Sequence, residues 1–258
     1  MIEVNNLSKY YKISKEQKKD RGEKFSEDFV IGVKNISFNC IPGRIFGLIG
    51  PNGAGKTTAL RMIGTMLKPS GGNITVNGFD TIKESYFVKQ RLGFLSGNTG
   101  LYDRLTAEEM VRYYADLHQM SNSEYMRQRN YLFNLLDMNQ FSSTRIAKLS
   151  TGMKQKVNIA RTMIHNPKVV VFDEPTSGLD IMASQNIIKL IQECKNNNKT
   201  IIFSSHRFDE IKLLCDDLAI IHNGKLFFNG TFKNFINQMK AKTLEDEFIR
   251  LIGGAKSV

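Results

Sequence analysis

One nine-residue stretch constrains the fold of this chain more than any other. It fits the pattern G-x-x-x-x-G-K-[ST] and reads Gly50-Pro51-Asn52-Gly53-Ala54-Gly55-Lys56-Thr57-Thr58. It follows a strand-like run, 44–49, and precedes a helix-forming run, 59–63. Glycines at these places let backbone N–H groups point inward, and the next helix adds its positive amino-terminal end. This phosphate loop is expected to place Lys56 on β- and γ-phosphates and the Thr57 hydroxyl on Mg²⁺.

Two adjacent acidic residues indicate which reaction the phosphate loop would serve. Residues 169–172 are apolar throughout and mostly β-branched, which predicts a strand covered on both faces, and Asp173-Glu174 follows at once. A carboxylate at the end of a buried strand is costly unless it meets a cation, and Mg²⁺ would supply one. We expect Asp173 on the Mg²⁺ side and Glu174 to orient and deprotonate a water that attacks the γ-phosphate. A loop ion pair is the alternative interpretation.

A phosphate loop alone is compatible with a kinase, a GTPase or an ATPase. A GTPase would also carry an Asn-Lys-x-Asp motif that reads guanine. The nearest match here, Asn198-Lys199-Thr200-Ile201, lacks the acid.

A third motif marks the start of a helix. It reads Leu149-Ser150-Thr151-Gly152-Met153-Lys154-Gln155-Lys156, and Ser150 is a natural N-cap. A helix start that exposes its N–H groups can bind a second anion through the helix dipole. On its own, however, this is an ordinary helix start.

Together the three motifs resemble those of the ATP-binding-cassette ATPases. Ser150-Thr151-Gly152 is similar to the signature motif of that family, and Ser177-Gly178-Leu179-Asp180 is similar to its D-loop. His206, after the strand-like run that ends in Phe203-Ser204-Ser205, resembles the switch histidine, and Tyr11 resembles the aromatic that stacks on adenine. The motifs lie in family order over residues 2–230.

The resemblance implies an ATP-hydrolysing enzyme whose cofactors are ATP and Mg²⁺. Its catalytic residues would be Glu174 as general base, His206 as a γ-phosphate contact and Lys56. Its metal ligands would be Thr57 and Asp173. The nucleotide-binding set would be Tyr11, Asn52, Gly53, Ala54, Gly55, Lys56, Thr57, Thr58, Ser150, Thr151, Gly152 and Asp180. Two identical or related chains would pair head to tail, with each ATP between the phosphate loop of one and the signature segment of the other.

Two positions depart from the family pattern. The glutamine of the family's Q-loop would fall near Gly97, where the chain has none. Ser96, Asn98 or a water would take its place, since Mg²⁺ usually keeps several waters. The final Gln of the signature is Met153, which should matter less because the Ser and the backbone make the phosphate contacts.

Further segments resemble one branch of the family. Residues 93–106 and 199–206, with Leu214-Cys215-Asp216, are similar to the ATPase subunits of sodium-efflux transporters. Exporters of drugs, lipids and glycans in the same branch look alike, so these remain alternatives for the cargo.

The expected fold is an α/β, RecA-like P-loop NTPase core with an antiparallel β-subdomain near the amino terminus and an inserted α-helical subdomain. The core would comprise 1–96 and 166–230, the helical subdomain 97–165 and a helical tail 231–258, within a single domain of 258 residues. Capping boxes at Thr106-Ala107-Glu108-Glu109 and Ser121-Asn122-Ser123-Glu124 start helices, and Asn223-Gly224 predicts a hairpin turn. The charged run 12–24 is expected to be an exposed loop.

Composition sets limits on location. The chain is 41% hydrophobic, an ordinary globular value. Three cysteines without CxxC spacing argue against structural zinc and fit a reducing compartment. No leader is expected from the opening residues, and no apolar run approaches the roughly 20 residues of a membrane helix. Transport would therefore need a separate membrane permease that docks on the helical subdomain and on 96–105, at the cytoplasmic face of the membrane.

The charge balance leaves two other classes to weigh. The net charge is +11, from 36 Lys and Arg against 25 Asp and Glu, which suits phosphates, an anionic membrane leaflet or nucleic acid. A nucleic-acid or ribosome ATPase is disfavoured because the chain has no basic-aromatic stripe and no room for two cassettes. A non-hydrolysing regulatory module is disfavoured by intact Lys56, Asp173, Glu174 and His206.

Overall fold

The computed structural model describes residues 1–13, 28–96, 100–177 and 181–253, with the side chains of 181–183 left out. These residues form ten strands, nine α-helices and two short 3-10 helices, Asn139–Phe141 and Ile146–Lys148. The strands are β1 (Ile2–Lys12), β2 (Phe29–Cys40), β3 (Ile45–Ile49), β4 (Gly71–Val76), β5 (Phe79–Asp80), β6 (Leu92–Ser96), β7 (Val169–Asp173), β8 (Thr200–Ser205), β9 (Asp217–His222) and β10 (Lys225–Thr231). The helices are α1 (Lys56–Ile63), α2 (Ser85–Arg91), α3 (Ala107–Leu117), α4 (Asn122–Leu135), α5 (Thr151–Met163), α6 (Ile181–Asn196), α7 (Phe208–Leu214), α8 (Phe232–Gln238) and α9 (Leu244–Gly253).

Two sheets organise the chain. The larger has six strands in the order β10-β9-β3-β8-β7-β6, parallel except for the β9–β10 hairpin. The smaller is antiparallel, in the order β2-β1-β4-β5. The helices α3, α4 and α5 lie between β6 and β7 in the chain. This arrangement confirms the predicted α/β fold, whereas the domain boundaries at 97 and 165 stay a prediction.

The larger sheet is covered on both faces, since every residue of β3, β7 and β8 is buried. In β3, Phe46 and Leu48 pack in a cluster with the smaller sheet and α1, and Ile45 and Ile49 pack in a cluster with helices of the other face. The strand β7 alternates between the same two clusters. Buried parallel strands place the carboxyl ends of β3, β7 and β8 at one edge, where ligands of open α/β sheets bind.

The helix starts and the hairpin turn that the sequence predicts occur at the expected residues. The Thr106 hydroxyl accepts from the Glu109 backbone N–H at 3.1 Å and the Glu109 carboxylate accepts from the Thr106 N–H at 2.8 Å, which starts α3. Ser121 and Glu124 make the same box before α4. Asn223-Gly224 forms the turn between β9 and β10, and α8 and α9 are the two helices predicted for the tail.

No strand or helix is predicted from the sequence for residues 64–92, although Asn77-Gly78 is a hairpin-turn dipeptide that joins β4 to β5. The strand β4 starts with three exposed residues, so its apolar alternation is limited to Ile74-Thr75-Val76, and β5 has only two residues. Of the predicted charged loop, Lys12 is the last residue of β1, and 14–27 lie outside the described residues. Among the residues that are described, no helix combines the length and the apolar character that a membrane span requires.

Candidate functional site

The phosphate loop connects β3 to α1 at the edge of the larger sheet. Gly53 and Gly55 have positive φ angles of 80° and 110°, which glycine adopts without strain. A Cβ at Gly55 would lie 2.4 Å from the backbone oxygen of Gly32, so no other residue fits there. The glycines let the chain turn from the strand directly into the helix, whose first residue is Lys56.

A cavity of about 240 Å³ opens over this loop. It is lined by Tyr11, Val30, Ile31, Gly32, Pro51, Asn52, Gly53, Ala54, Gly55, Lys56, Thr57, Thr58 and Glu174. The Tyr11 hydroxyl lies 3.2 Å from the Thr58 hydroxyl, and its ring is 39% exposed at the wall. The structure thus brings the predicted adenine-stacking and phosphate-binding residues together in one cavity.

Lys56 is buried at the base of the cavity, with 4% of the side chain exposed. Its Nζ donates to the backbone oxygens of Gly50, at 2.6 Å, and Pro51, at 3.1 Å. The same Nζ lies 3.4 Å from Oε1 of Glu174. Nδ1 of His206 lies 3.5 Å from that same oxygen. Cation, acid and histidine therefore meet at one carboxylate oxygen.

Glu174 reaches this position with an unusual backbone. Its φ is 49°, in the left-handed region that a non-glycine residue rarely adopts. Such conformations cost on the order of 1–3 kcal/mol and cluster at functional sites. The strained residue directly follows Asp173, the last residue of β7.

Asp173, the last residue of β7, is 6% exposed. Its Oδ1 accepts hydrogen bonds from the hydroxyls of Thr57, at 3.2 Å, and Ser204, at 2.8 Å. A buried carboxylate beside a hydroxyl, at the mouth of a phosphate loop, is the hard oxygen donor set that Mg²⁺ takes with substrate phosphates. Within the described part of the chain, no group of three or more His, Cys, Asp or Glu side chains could hold a metal ion. A magnesium site that is completed by phosphate oxygens and waters needs no such group.

The signature segment stands apart from this cavity. Ser150 caps α5, its hydroxyl accepting from the Met153 N–H at 3.2 Å, as predicted. Among the described residues that line the cavity, none belongs to 150–152. Of the other predicted positions, Asp180, Gly97 and Asn98 lie outside the described residues.

Sequence reasoning missed two residues of the site. Ser204 donates to Asp173 and also accepts from the Glu174 backbone N–H at 3.0 Å, so one hydroxyl holds both acids. Gly32, on β2, packs directly against the ring of Tyr11. A Cβ at this position would lie 2.7 Å from Cε2 of Tyr11. The pair of serines at the end of a buried strand could have indicated Ser204. No sequence pattern indicates Gly32.

Comparison with known proteins defines the class. The family model described as "ABC transporter" matches residues 33–177, which is more than half of the chain. This span covers the phosphate loop, the signature segment and Asp173-Glu174. The chain belongs to the ABC transporter family, as one of its ATP-binding cassette ATPases.

Relatives of known sequence agree with this class. The ABC transporter ATP-binding protein NatA of Bacillus subtilis is 42% identical over 227 residues, which cover 87% of this chain and 92% of that protein. The linearmycin resistance ATP-binding protein LnrL of the same organism is 32% identical over 212 residues, covering 82% and 68%.

Solved structures show the same fold. The ATP-binding subunit of an ABC transporter superposes with a TM-score of 0.84 at 27% identity, covering 98% of this chain and 99% of that one. A dimeric ATP-binding cassette in a post-hydrolysis state, bound to ADP and Pi, superposes with a TM-score of 0.77 at 24% identity, covering 90% and 98%.

Proposed function

We propose that this chain is the ATP-hydrolysing subunit of an ABC transporter that drives export through a separate membrane permease. The observation that carries the proposal is the carboxylate of Glu174, which lies within 3.5 Å of both Lys56 Nζ and His206 Nδ1 at the edge of the phosphate-loop cavity. A carboxylate oxygen that lies close to both a lysine ammonium group and a histidine ring nitrogen fits the in-line attack of water on a γ-phosphate.

The roles follow from charge and position. Lys56 is the buried cation that neutralises the β- and γ-phosphates, which then take the place of Glu174 as its counter-charge. Glu174, freed from Lys56, accepts the proton of the attacking water. His206 contacts the γ-phosphate from the side of β8. Tyr11, at the far wall of the cavity, stacks on the adenine.

Thr57 and Asp173 are the side chains proposed to hold Mg²⁺, which supplies charge neutralisation for the phosphates when bound. Ser204 supports them, because its hydrogen bond fixes the Asp173 oxygen that also faces Thr57. Such supporting partners typically change metal affinity about 10–100-fold.

The proposed assembly is a head-to-tail dimer of this chain or of this chain with a related one. Support comes from the signature segment, which does not line the cavity of its own chain. The helix α5 that it starts has no acidic residue in its first turn, so its amino-terminal N–H groups suit an anion from a partner. Asp180 is proposed to act at the same interface.

The proposed membrane partner docks on the helical part and the 96–105 segment, at the cytoplasmic face. Tyr102 and Tyr113 support this surface, since they are 56% and 42% exposed and pack edge to face at 5.9 Å. The proposed cargo is Na⁺, on the resemblance of 93–106 and 199–206 to sodium-efflux ATPases. A drug is the second candidate, supported by the relative named for linearmycin resistance.

The substitution Glu174→Gln tests the hydrolytic assignment. The variant should bind ATP normally, release phosphate about 10²–10⁴-fold more slowly because a general base is lost, and accumulate as an ATP-bound dimer on gel filtration. Glu245→Gln, an exposed residue at the start of α9, is the matched control and should behave like the parent. Normal hydrolysis by Glu174→Gln would refute the assignment.

A further inference from the structure

A second buried acid lies beside the proposed catalytic edge. Glu210, on α7, is 3% exposed. Its Oε1 accepts from the Thr176 hydroxyl at 2.6 Å and its Oε2 accepts from the Ser205 hydroxyl at 2.8 Å. Thr176 and Ser205 are each 4% exposed, so the whole arrangement is shielded from water.

The two hydroxyls belong to the two segments that carry the catalytic groups. Thr176 lies two residues after Glu174, and Ser205 immediately precedes His206. The carboxylate of Glu210 is thus a bridge between the segment that follows β7 and the end of β8. Ser204 makes a second bridge between the same strands, through Asp173 and the Glu174 N–H.

The chemistry of the bridge makes it rigid. An ionised carboxylate only accepts hydrogen bonds, so both hydroxyl protons must point towards Glu210. The Ser205 hydroxyl also accepts from the Arg207 N–H at 3.0 Å, which fixes the chain on the other side of His206. Hydrogen bonds to a charged group inside a protein are stronger than those between neutral groups.

The charge of Glu210 has a partner. Nη1 of Arg207 lies 3.4 Å from Oε1 of Glu210, and Nη2 of Arg207 lies 2.8 Å from the exposed Asp209. The hydrogen bond that Arg207 donates to Asp209, with the charge of Glu210, raises the pKa of Arg207. The guanidinium of Arg207 therefore stays charged and provides a counter-charge for the buried carboxylate of Glu210.

We propose that Glu210 is a positioning residue for ATP hydrolysis, which holds the Glu174 and His206 segments in register through Thr176 and Ser205. The inference rests on the proposed function, because those two residues are its proposed reacting groups. Glu210 lines no part of the described cavity and so acts only through its neighbours.

The test compares steady-state ATP hydrolysis of five variants. Glu210→Gln keeps the shape of the side chain but removes the charge, and Thr176→Val keeps the shape of threonine without its hydroxyl. Each should lower kcat roughly ten- to a hundredfold, since a displacement of about 1 Å in a site can cost about a hundredfold. KM for ATP should stay within about twofold, because neither residue contacts the nucleotide.

Two controls separate positioning from folding. Thr176→Ser restores the hydroxyl and should restore kcat. Asp209→Asn alters the exposed partner of the same arginine, on the same helix, and should leave kcat unchanged. The double variant Glu210→Gln/Thr176→Val should lose little more than either single one, because both changes break the same bridge. Circular dichroism and thermal melting of each variant check that it is folded.

The proposal is overturned if folded Glu210→Gln and Thr176→Val keep kcat within about twofold of the parent, or if their losses multiply in the double variant. It is also overturned if Thr176→Ser is as slow as Thr176→Val. These results would leave the proposed function intact. Failure of the parent chain to hydrolyse ATP, or full activity of Glu174→Gln, would instead remove the function on which the inference rests.

Discussion

Nζ of Lys56 lies 3.4 Å from Oε1 of Glu174, so the cation of the phosphate loop and the proposed base are close enough to neutralise each other. Phosphate binding would replace the carboxylate beside Lys56 and release it towards water and His206. Nucleotide binding and activation of the base are then the same event. The pair also gives the ammonium group of Lys56, which is 4% exposed, the counter-charge that a buried charge needs.

Lys56→Ala should abolish hydrolysis and weaken ATP binding. The variant loses the cation that binds phosphate, and loss of one such electrostatic group costs about 10²–10³-fold in kcat. A phosphate-release assay, with ATP affinity from titration calorimetry, measures both effects. Lys68→Ala changes an exposed lysine shortly after α1 and should match the parent. Hydrolysis by Lys56→Ala within about tenfold of the parent would contradict the role of Lys56.

Thr57→Val should raise the Mg²⁺ concentration needed for half-maximal hydrolysis. Valine keeps the shape of threonine but removes the hydroxyl that lies 3.2 Å from Asp173, and we expect a shift of at least about tenfold. Thr57→Ser restores the hydroxyl and should restore the Mg²⁺ dependence. A Thr57→Val variant with the parent's Mg²⁺ titration would show that this hydroxyl is not a ligand.

Gly32→Ala should weaken binding of ATP more than binding of inorganic tripolyphosphate, although the new Cβ would also lie 3.0 Å from Cγ2 of Thr58 in the phosphate loop. The new Cβ would lie 2.7 Å from the Tyr11 ring and displace it, and stacking on a base is worth about 1–3 kcal/mol. The dissociation constant for ATP should therefore rise more than that for inorganic tripolyphosphate. Gly71→Ala, on β4 of the same sheet, meets its nearest atom at 3.9 Å and is the matched control. Equal losses for ATP and tripolyphosphate would contradict the role of Tyr11.

The folded chain should become less stable at low pH, because its His165 resists protonation. Burial, with the charge of the stacked His118 at 3.7 Å, lowers the pKa of His165 to about 3. The unfolded chain, with a histidine pKa of about 6.5, binds the proton more readily, so stability is full above that value and lost as the pH falls towards 3. Between pH 7.5 and 5.5 the parent should lose about 1.4 kcal/mol more than His165→Phe in urea unfolding. Equal losses would show that His165 is not neutral in the folded chain.

Local motifs made much of this molecule predictable. The phosphate loop, the Asp173-Glu174 pair and the Ser150 cap depend on residues that are neighbours in the chain, so their spacing carries the information. The fold class followed from these motifs together with apolar runs such as β7.

The features of the fold and of the site that could not be predicted depend on residues that are distant in the chain. Glu210 meets Thr176 across 34 residues and Ser204 meets Asp173 across 31, and no spacing rule connects such pairs. The strand β4 depends on its pairing with β1 and β5, because its first three residues are exposed and its apolar alternation covers only its last three. The apposition of the signature segment with a partner's phosphate loop belongs to an assembly and stays a prediction.

The dependence of ATP hydrolysis on protein concentration tests the central claim most directly. If two chains enclose each ATP, the total rate should rise with about the second power of concentration at high dilution and about the first power once dimers are filled. Reconcentration of the diluted sample should restore the full specific activity. A folded monomer that keeps one specific activity at every dilution would contradict the account.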